Sequence, residues 1–170
     1  MVYRTVTLTM NSKLLEKLIL ANHRSLELFA AQWTAVPEDC VQEAFLKLHR
    51  TTESIDNPRA WLFRVVRNLA IDAGRSEASR KRREQLVGQS KSWFVEQQES
   101  PFDISEIQSA LQKLPAEQRE IIVARIWGKL TLKEIASAFQ IATSTVHRRY
   151  ELGIKQLQNQ FSQTSTTDKP

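Results

Sequence analysis

The residues with the plainest chemical use in this sequence are short hydroxyls and guanidinium groups on neighbouring helical turns. Thr143, Ser144, Thr145, His147, Arg148 and Arg149 follow one another near the start of an apolar-striped segment. Hydroxyls at a helix N-terminus suit phosphate oxygens, and arginines reach phosphates or base edges of a duplex. A predicted helix of about eight residues and a short turn precede them, which is helix-turn-helix spacing. An ordinary helical hairpin, with Val146 and Tyr150 as mere core, is the competing reading. Capping, spacing and basic exposure together favour DNA. Gln140 stands in the turn where glycine is common, at a cost of up to ~1 kcal/mol.

A second constellation lies upstream. Trp61, Arg64, Asn68, Ile71 and Arg75 recur along one side of a predicted helix, with Arg67 beside them. Aromatic, amide and guanidinium groups together suit unpaired bases and the backbone that carries them. Arg80, Lys81, Arg82 and Arg83 follow and suit several phosphates. Core packing for Trp61 is an equal alternative. A third face pairs Asp39, Gln42 and Glu43 with Leu46 and Arg50. Acids there repel DNA, so a protein partner and a solvated surface are the two readings left open.

Catalysis finds little support. There is no Gly-rich phosphate loop, no His-Glu-x-x-His and no elbow for a nucleophilic serine. His23, His49 and His147 are scattered, and the single cysteine, Cys40, allows neither an intramolecular disulfide nor a cysteine-cluster zinc site. No metal or cofactor is expected. No apolar run approaches the ~18 residues of a membrane span, and Met1 to Met10 lacks a signal peptide's apolar centre. A soluble, cytoplasmic protein is the expectation.

The net charge of +5 is unevenly distributed. Residues 58–84 hold 8 basic and 3 acidic groups, and residues 115–170 hold 8 and 5. Residues 1–57 hold 6 and 7, and residues 85–114 hold 2 and 4. Two basic zones separated by an acidic stretch point to a bipartite polyanion binder.

The elements that must position these groups read as helices throughout. Leu15, Leu18, Ile19, Leu26, Phe29, Ala30 and Trp33 make one stripe. Pro37, with Glu38 and Asp39 after it, opens a second helix buried through Val41, Ala44, Phe45 and Leu48. Asn57-Pro58 starts a third, striped by Leu62, Val65, Val66, Leu69 and Ala70, with an expected kink at Gly74 and an end near Leu86. Residues 87–102 read as a linker, although Trp93 and Phe94 are unusual for a free tether. Asp103 with Glu106 opens a short helix through Leu114, and Pro115 begins another that Gly128 stops. Thr131 with Glu134 gives a further capping box, and Thr143 is expected to cap the last helix. The chain therefore reads as all-α: a helical domain over 10–86, the linker, a helix-turn-helix domain over 103–161, and a polar tail over 162–170.

These motifs together resemble a bacterial sigma factor of the extracytoplasmic-function (ECF) type. Pro37 to Arg50 (PEDCVQEAFLKLHR) is similar to region 2.2, and Asn57 to Asp72 (NPRAWLFRVVRNLAID) to regions 2.3 and 2.4. Leu114 to Glu120 (LPAEQRE) and Thr131 to Leu157 resemble region 4. The order and spacing make the signal specific. No intermediate domain of the housekeeping type stands between the linker and the second domain.

The resemblance implies roles for the ambiguous faces. Asp39, Gln42, Glu43 and Leu46 would dock on the beta-prime clamp helices of core RNA polymerase. Asn57, Trp61, Arg64, Arg67, Asn68 and Arg75 would open and read the promoter −10 element as a single strand, with a base pocketed at the Thr51–Asn57 loop. The Arg80–Arg83 run would hold phosphates. Thr143, Ser144, Thr145, His147, Arg148 and Arg149 would read the −35 element, and the same domain would touch the polymerase beta flap. The implied partners are core polymerase and promoter DNA, with an anti-sigma factor as a further candidate. The rivals are a stand-alone helix-turn-helix regulator and a small nuclease, for which no carboxylate cluster can be assembled.

Overall fold

The computed structural model describes residues 12–84 and 104–164, and every regular element among them is an α-helix. The chain divides into two compact units, residues 1–86 and 87–170. The 87–102 segment, the Asp103 cap and the tail from residue 165 lie outside the described residues.

Unit 1 packs α1 (Ser12–Ala30), α2 (Pro37–Arg50) and α3 (Pro58–Glu84) against one another. Leu26, Phe29, Val41, Ala44, Leu48, Leu62, Phe63 and Val66 are wholly buried between them. Phe29 holds the centre. Its ring meets Trp33 edge-on at 5.1 Å and Phe63 edge-on at 5.0 Å, the arrangement that ring quadrupoles favour. The expected α3 stripe omits Phe63 and includes Val65 and Leu69, which are only half-buried.

Local chemistry sets the helix starts. Pro37 opens α2 with Glu38 and Asp39 in its first turn. The Ala60 N–H donates to Asn57 Oδ1 at 3.0 Å, so Asn57 caps α3 ahead of Pro58. At Gly74, the position of the expected kink, α3 continues as a helix without interruption. Gly74 instead permits close packing: a Cβ there would overlap the carbonyl oxygen of Trp33.

Unit 2 contains α4 (Ile104–Gln112), α5 (Ala116–Ile126), α6 (Leu132–Phe139) and α7 (Thr143–Thr164). Four successive residues of α5, Ile121 to Ala124, are fully buried, as expected for a helix enclosed by neighbours on several sides. Both α6 and α7 pack on it, and α4 packs on α7. Gly153 lies against α5, where a Cβ would come within 2.6 Å of Ile122 Cδ1. The last helix extends to Thr164, past the expected start of the tail at Ser162.

The capping box at α6 forms with both reciprocal bonds: Glu134 N–H donates to Thr131 Oγ1 at 3.2 Å, and Thr131 N–H to Glu134 Oε2 at 2.6 Å. Three other boundaries differ from expectation. Pro115 flanks α5 rather than beginning it. The left-handed residue after α5 is Lys129, at φ 53°, not Gly128. Thr143 is the first residue of α7 rather than its cap, and the Val146 N–H donates to the Ala142 carbonyl.

Gln140 is left-handed, at φ 55° and ψ 44°. Its N–H and that of Ile141 both close back on α6 carbonyls, which is the geometry of a glycine-terminated helix. A β-carbon is strained in this conformation. Gln140→Gly is accordingly expected to stabilise unit 2 by up to about 1 kcal/mol, seen as a higher midpoint in thermal unfolding. A lowered midpoint would contradict the strain.

Candidate nucleic-acid interface

Helix α3 buries Leu62, Phe63, Val66 and Ala70. The helical repeat turns Trp61, Arg64, Asn68, Ile71 and Arg75 to the opposite side. Asn68 and Arg75 are exposed there, while Trp61, Arg64, Arg67 and Ile71 are half-buried. Trp61 is therefore outside the fully buried core and keeps part of its surface accessible. Arg75 pairs with Asp72 at 3.8 Å across two solvent-exposed side chains, an interaction weak enough to give way to a phosphate. Asn57 already commits its side-chain oxygen to capping α3, which fixes the end of the loop beside Trp61. Arg80 is exposed, and the side chains of Lys81, Arg82 and Arg83 fall outside the described set.

The acidic face belongs to α2. Cys40, Val41, Ala44, Phe45 and Leu48 are buried, and Asp39, Gln42 and Leu46 lie exposed on the other side. Leu46 keeps 45% of its surface, unusual for a leucine flanked by core positions. Glu43 lies at the margin of this face, 3.9 Å from Lys47.

Helix α3 also secures the start of α2. Thr34 Oγ1 donates to Glu77 Oε1 at 2.5 Å, and the Ala35 N–H points at the same carboxylate at 3.3 Å. Thr34 in turn accepts from the Val36 N–H at 3.2 Å. A carboxylate of α3 thus orders the turn that launches α2, so the acidic and the aromatic faces are set from one framework. Cys40 lies beside this anchor, and burial together with the nearby Asp39 and Glu77 carboxylates pushes its thiol up. Little of it is thiolate at neutral pH, so it is a poor nucleophile.

In unit 2, α6, the Gln140 turn and α7 form the helix-turn-helix. Phe139 and Val146 are buried inside it. Thr143, Ser144, His147 and Arg148 are exposed, and Thr145 is half-buried. Arg149 is different. Its Nη2 lies 2.5 Å from Glu117 Oε2 of α5, and its side chain is 23% exposed. Of the six expected groove readers, this one is turned back onto its own domain.

An apolar groove of about 480 Å³ opens elsewhere on the same unit, among Ile107, Leu111, Ile126, Trp127, Leu157 and Phe161. The sequence motifs single out neither Trp127 nor Phe161. Both aromatics sit at helix ends, where periodicity is a weak guide. Among the described residues, no three His, Cys, Asp or Glu side chains gather as a metal site. No described helix is long and apolar enough to cross a membrane.

Comparison with known proteins joins these faces. Residues 18–80 match Sigma-70 region 2, and residues 104–157 match Sigma-70 region 4. ECF RNA polymerase sigma factor SigL of Mycobacterium tuberculosis is 30% identical over 143 residues, covering 78% of both chains. ECF RNA polymerase sigma factor SigW of Bacillus subtilis is 30% identical over 139 residues, covering 73% of this chain and 74% of that protein. The sigma factor RpoE of Bartonella quintana, solved in complex with the anti-sigma factor NepR, shares the fold with a TM-score of 0.71. That likeness spans 89% of this chain and 98% of RpoE at 22% identity. The two matched regions, their order and the identity to SigL place the chain in the family of ECF RNA polymerase sigma factors.

Proposed function

We propose that the exposed faces divide the work of a promoter-specificity subunit among three helices. On α2, Asp39, Gln42, Glu43 and Leu46 dock on the beta-prime clamp helices of core polymerase. On α3, Trp61, Arg64, Arg67, Asn68 and Arg75 hold the −10 strand, with Asn57 shaping the adjoining loop and Arg80 to Arg83 neutralising phosphates. On α7, the hydroxyls of Thr143, Ser144 and Thr145 meet the backbone, and His147 and Arg148 reach into the −35 groove. The apolar groove of unit 2 receives the polymerase beta flap.

The observation that carries this division is the pair of faces on unit 1. An acid–leucine face on α2 and an aromatic–arginine face on α3 are both turned away from one core and tied together through Glu77. Acids exclude DNA from the first face, and basic groups favour it on the second. A stand-alone duplex-binding regulator has no use for the α2 face.

The chain contributes no catalytic step of its own in this reading. It works in the cytoplasm, where the polymerase is, and an anti-sigma factor is a further partner, in keeping with the fold shared with RpoE. Unstacking a base costs a few kcal/mol, and stacking on an aromatic ring returns about 1–3. Trp61→Ala should therefore weaken retention of forked DNA with a single-stranded −10 strand by about ten-fold or more when the chain is bound to core polymerase. The check is a competition binding assay with the assembled holoenzyme. Equal retention by wild type and variant would remove Trp61 from the site.

A further inference from the structure

Arg149 lies three residues after Val146 and four before Gly153, both buried. That spacing sets it beside the inner stripe of α7, where it meets Glu117. Ser144, His147, Arg148, Glu151 and Lys155 occupy the outer side and are all exposed. Glu117 stands in the first turn of α5, where the helix dipole favours a carboxylate. The acid is thus held by its own helix and by the guanidinium.

A close Arg–carboxylate pair is a strong charge-assisted contact. Here the contact engages one donor, Nη2, and the carboxylate that takes it is 65% exposed, so the arginine's charge is compensated only in part while its side chain is held against α5. Phosphate contacts raise affinity for every sequence, whereas base-edge contacts discriminate among them. A cation withheld from the backbone therefore lowers sequence-independent binding and leaves base reading intact.

We propose that Glu117 is a positioning residue that withholds Arg149 from DNA phosphates, limiting sequence-independent affinity and leaving duplex reading to His147 and Arg148. The proposal rests on the reading of α7 as the −35 helix. Buried packing of Val146 and of Gly153 against Ile122 holds α7 in place without the pair, so breaking it leaves the helix where it is.

The test uses the full chain in fluorescence anisotropy titrations at several salt concentrations. One probe is a duplex selected from a random −35 library, and the other is its scrambled sequence. Each phosphate neutralised contributes about 0.9 to the slope of log affinity against log salt. Glu117→Gln frees Arg149 and is expected to steepen the slope on scrambled duplex by about 0.9. Arg149→Met keeps the aliphatic stem and should leave the slopes of both probes at the wild-type value. The double variant E117Q/R149M should return the scrambled-duplex slope to the wild-type value.

An unchanged slope in Glu117→Gln overturns the proposal. So does a slope shallower by about 0.9 in Arg149→Met, because Arg149 would then already hold a phosphate in the wild type. If the wild-type chain prefers no library sequence at all, the −35 reading itself fails. That outcome appears before any variant is compared, so the two failures are separate.

Discussion

Phe63→Ala is expected to remove about 3–5 kcal/mol from unit 1. The ring is fully buried and forms an edge-on pair with Phe29, which pairs in turn with Trp33. Truncation leaves a cavity at the junction of α1 and α3 and breaks the aromatic series. Domains are stable by roughly 0.05–0.15 kcal/mol per residue, so this loss is from about a quarter to all of what a unit of this size holds. Unit 1 of the variant should unfold at much lower denaturant, and promoter-directed transcription should fail with it. Unit 2 has its own core around Leu111, Leu114 and Ile122, and its unfolding transition should stay where it is. A denaturation curve in which both units shift equally would contradict separate cores.

Leu46→Arg should have the opposite character: a large loss of binding with little loss of stability. Leu46 is 45% exposed on the acidic face of α2, so its removal costs the fold little. A central apolar contact can be worth 2 kcal/mol or more at a protein interface. Arginine forfeits that contact and places a long charged group in the interface. The expected fall in affinity for core polymerase is on the order of 100-fold, read by a pull-down titration. Thermal unfolding of the free variant should match wild type. Undiminished binding would take Leu46 out of the interface and leave its exposure unexplained.

How much of this was legible from sequence varies by element. Local signals carried furthest: Asn57-Pro58, Pro37 with Glu38 and Asp39, and the Thr131–Glu134 box each fix a helix start through neighbours in the chain. The faces of α2 and α3 also follow from periodicity alone. What the chain does not display locally is a partner brought from far away. Gly74 reads as a helix breaker until the Trp33 carbonyl is found against it. Phe63, by contrast, shares i, i+3, i+7 spacing with the buried Val66 and Ala70, so its place in the core was legible in the sequence. Glu77 bonds across more than 40 residues to Thr34. Glu117 is an ordinary first-turn acid by sequence, and only the packing of α7 on α5 reveals its arginine. The apolar groove was hidden for the same reason, because periodic apolar residues do not say which of them stay partly uncovered.

The central claim is that this chain confers promoter specificity on core polymerase through the faces of α2, α3 and α7. Transcription in vitro with bacterial core polymerase, a library of promoter sequences and sequencing of the RNA 5′ ends tests it most directly. The predicted result is initiation from a restricted set of templates sharing one −10 and one −35 sequence, dependent on the added chain and lost with Leu46→Arg. Initiation no different from core polymerase alone, with the added chain folded, would contradict the claim.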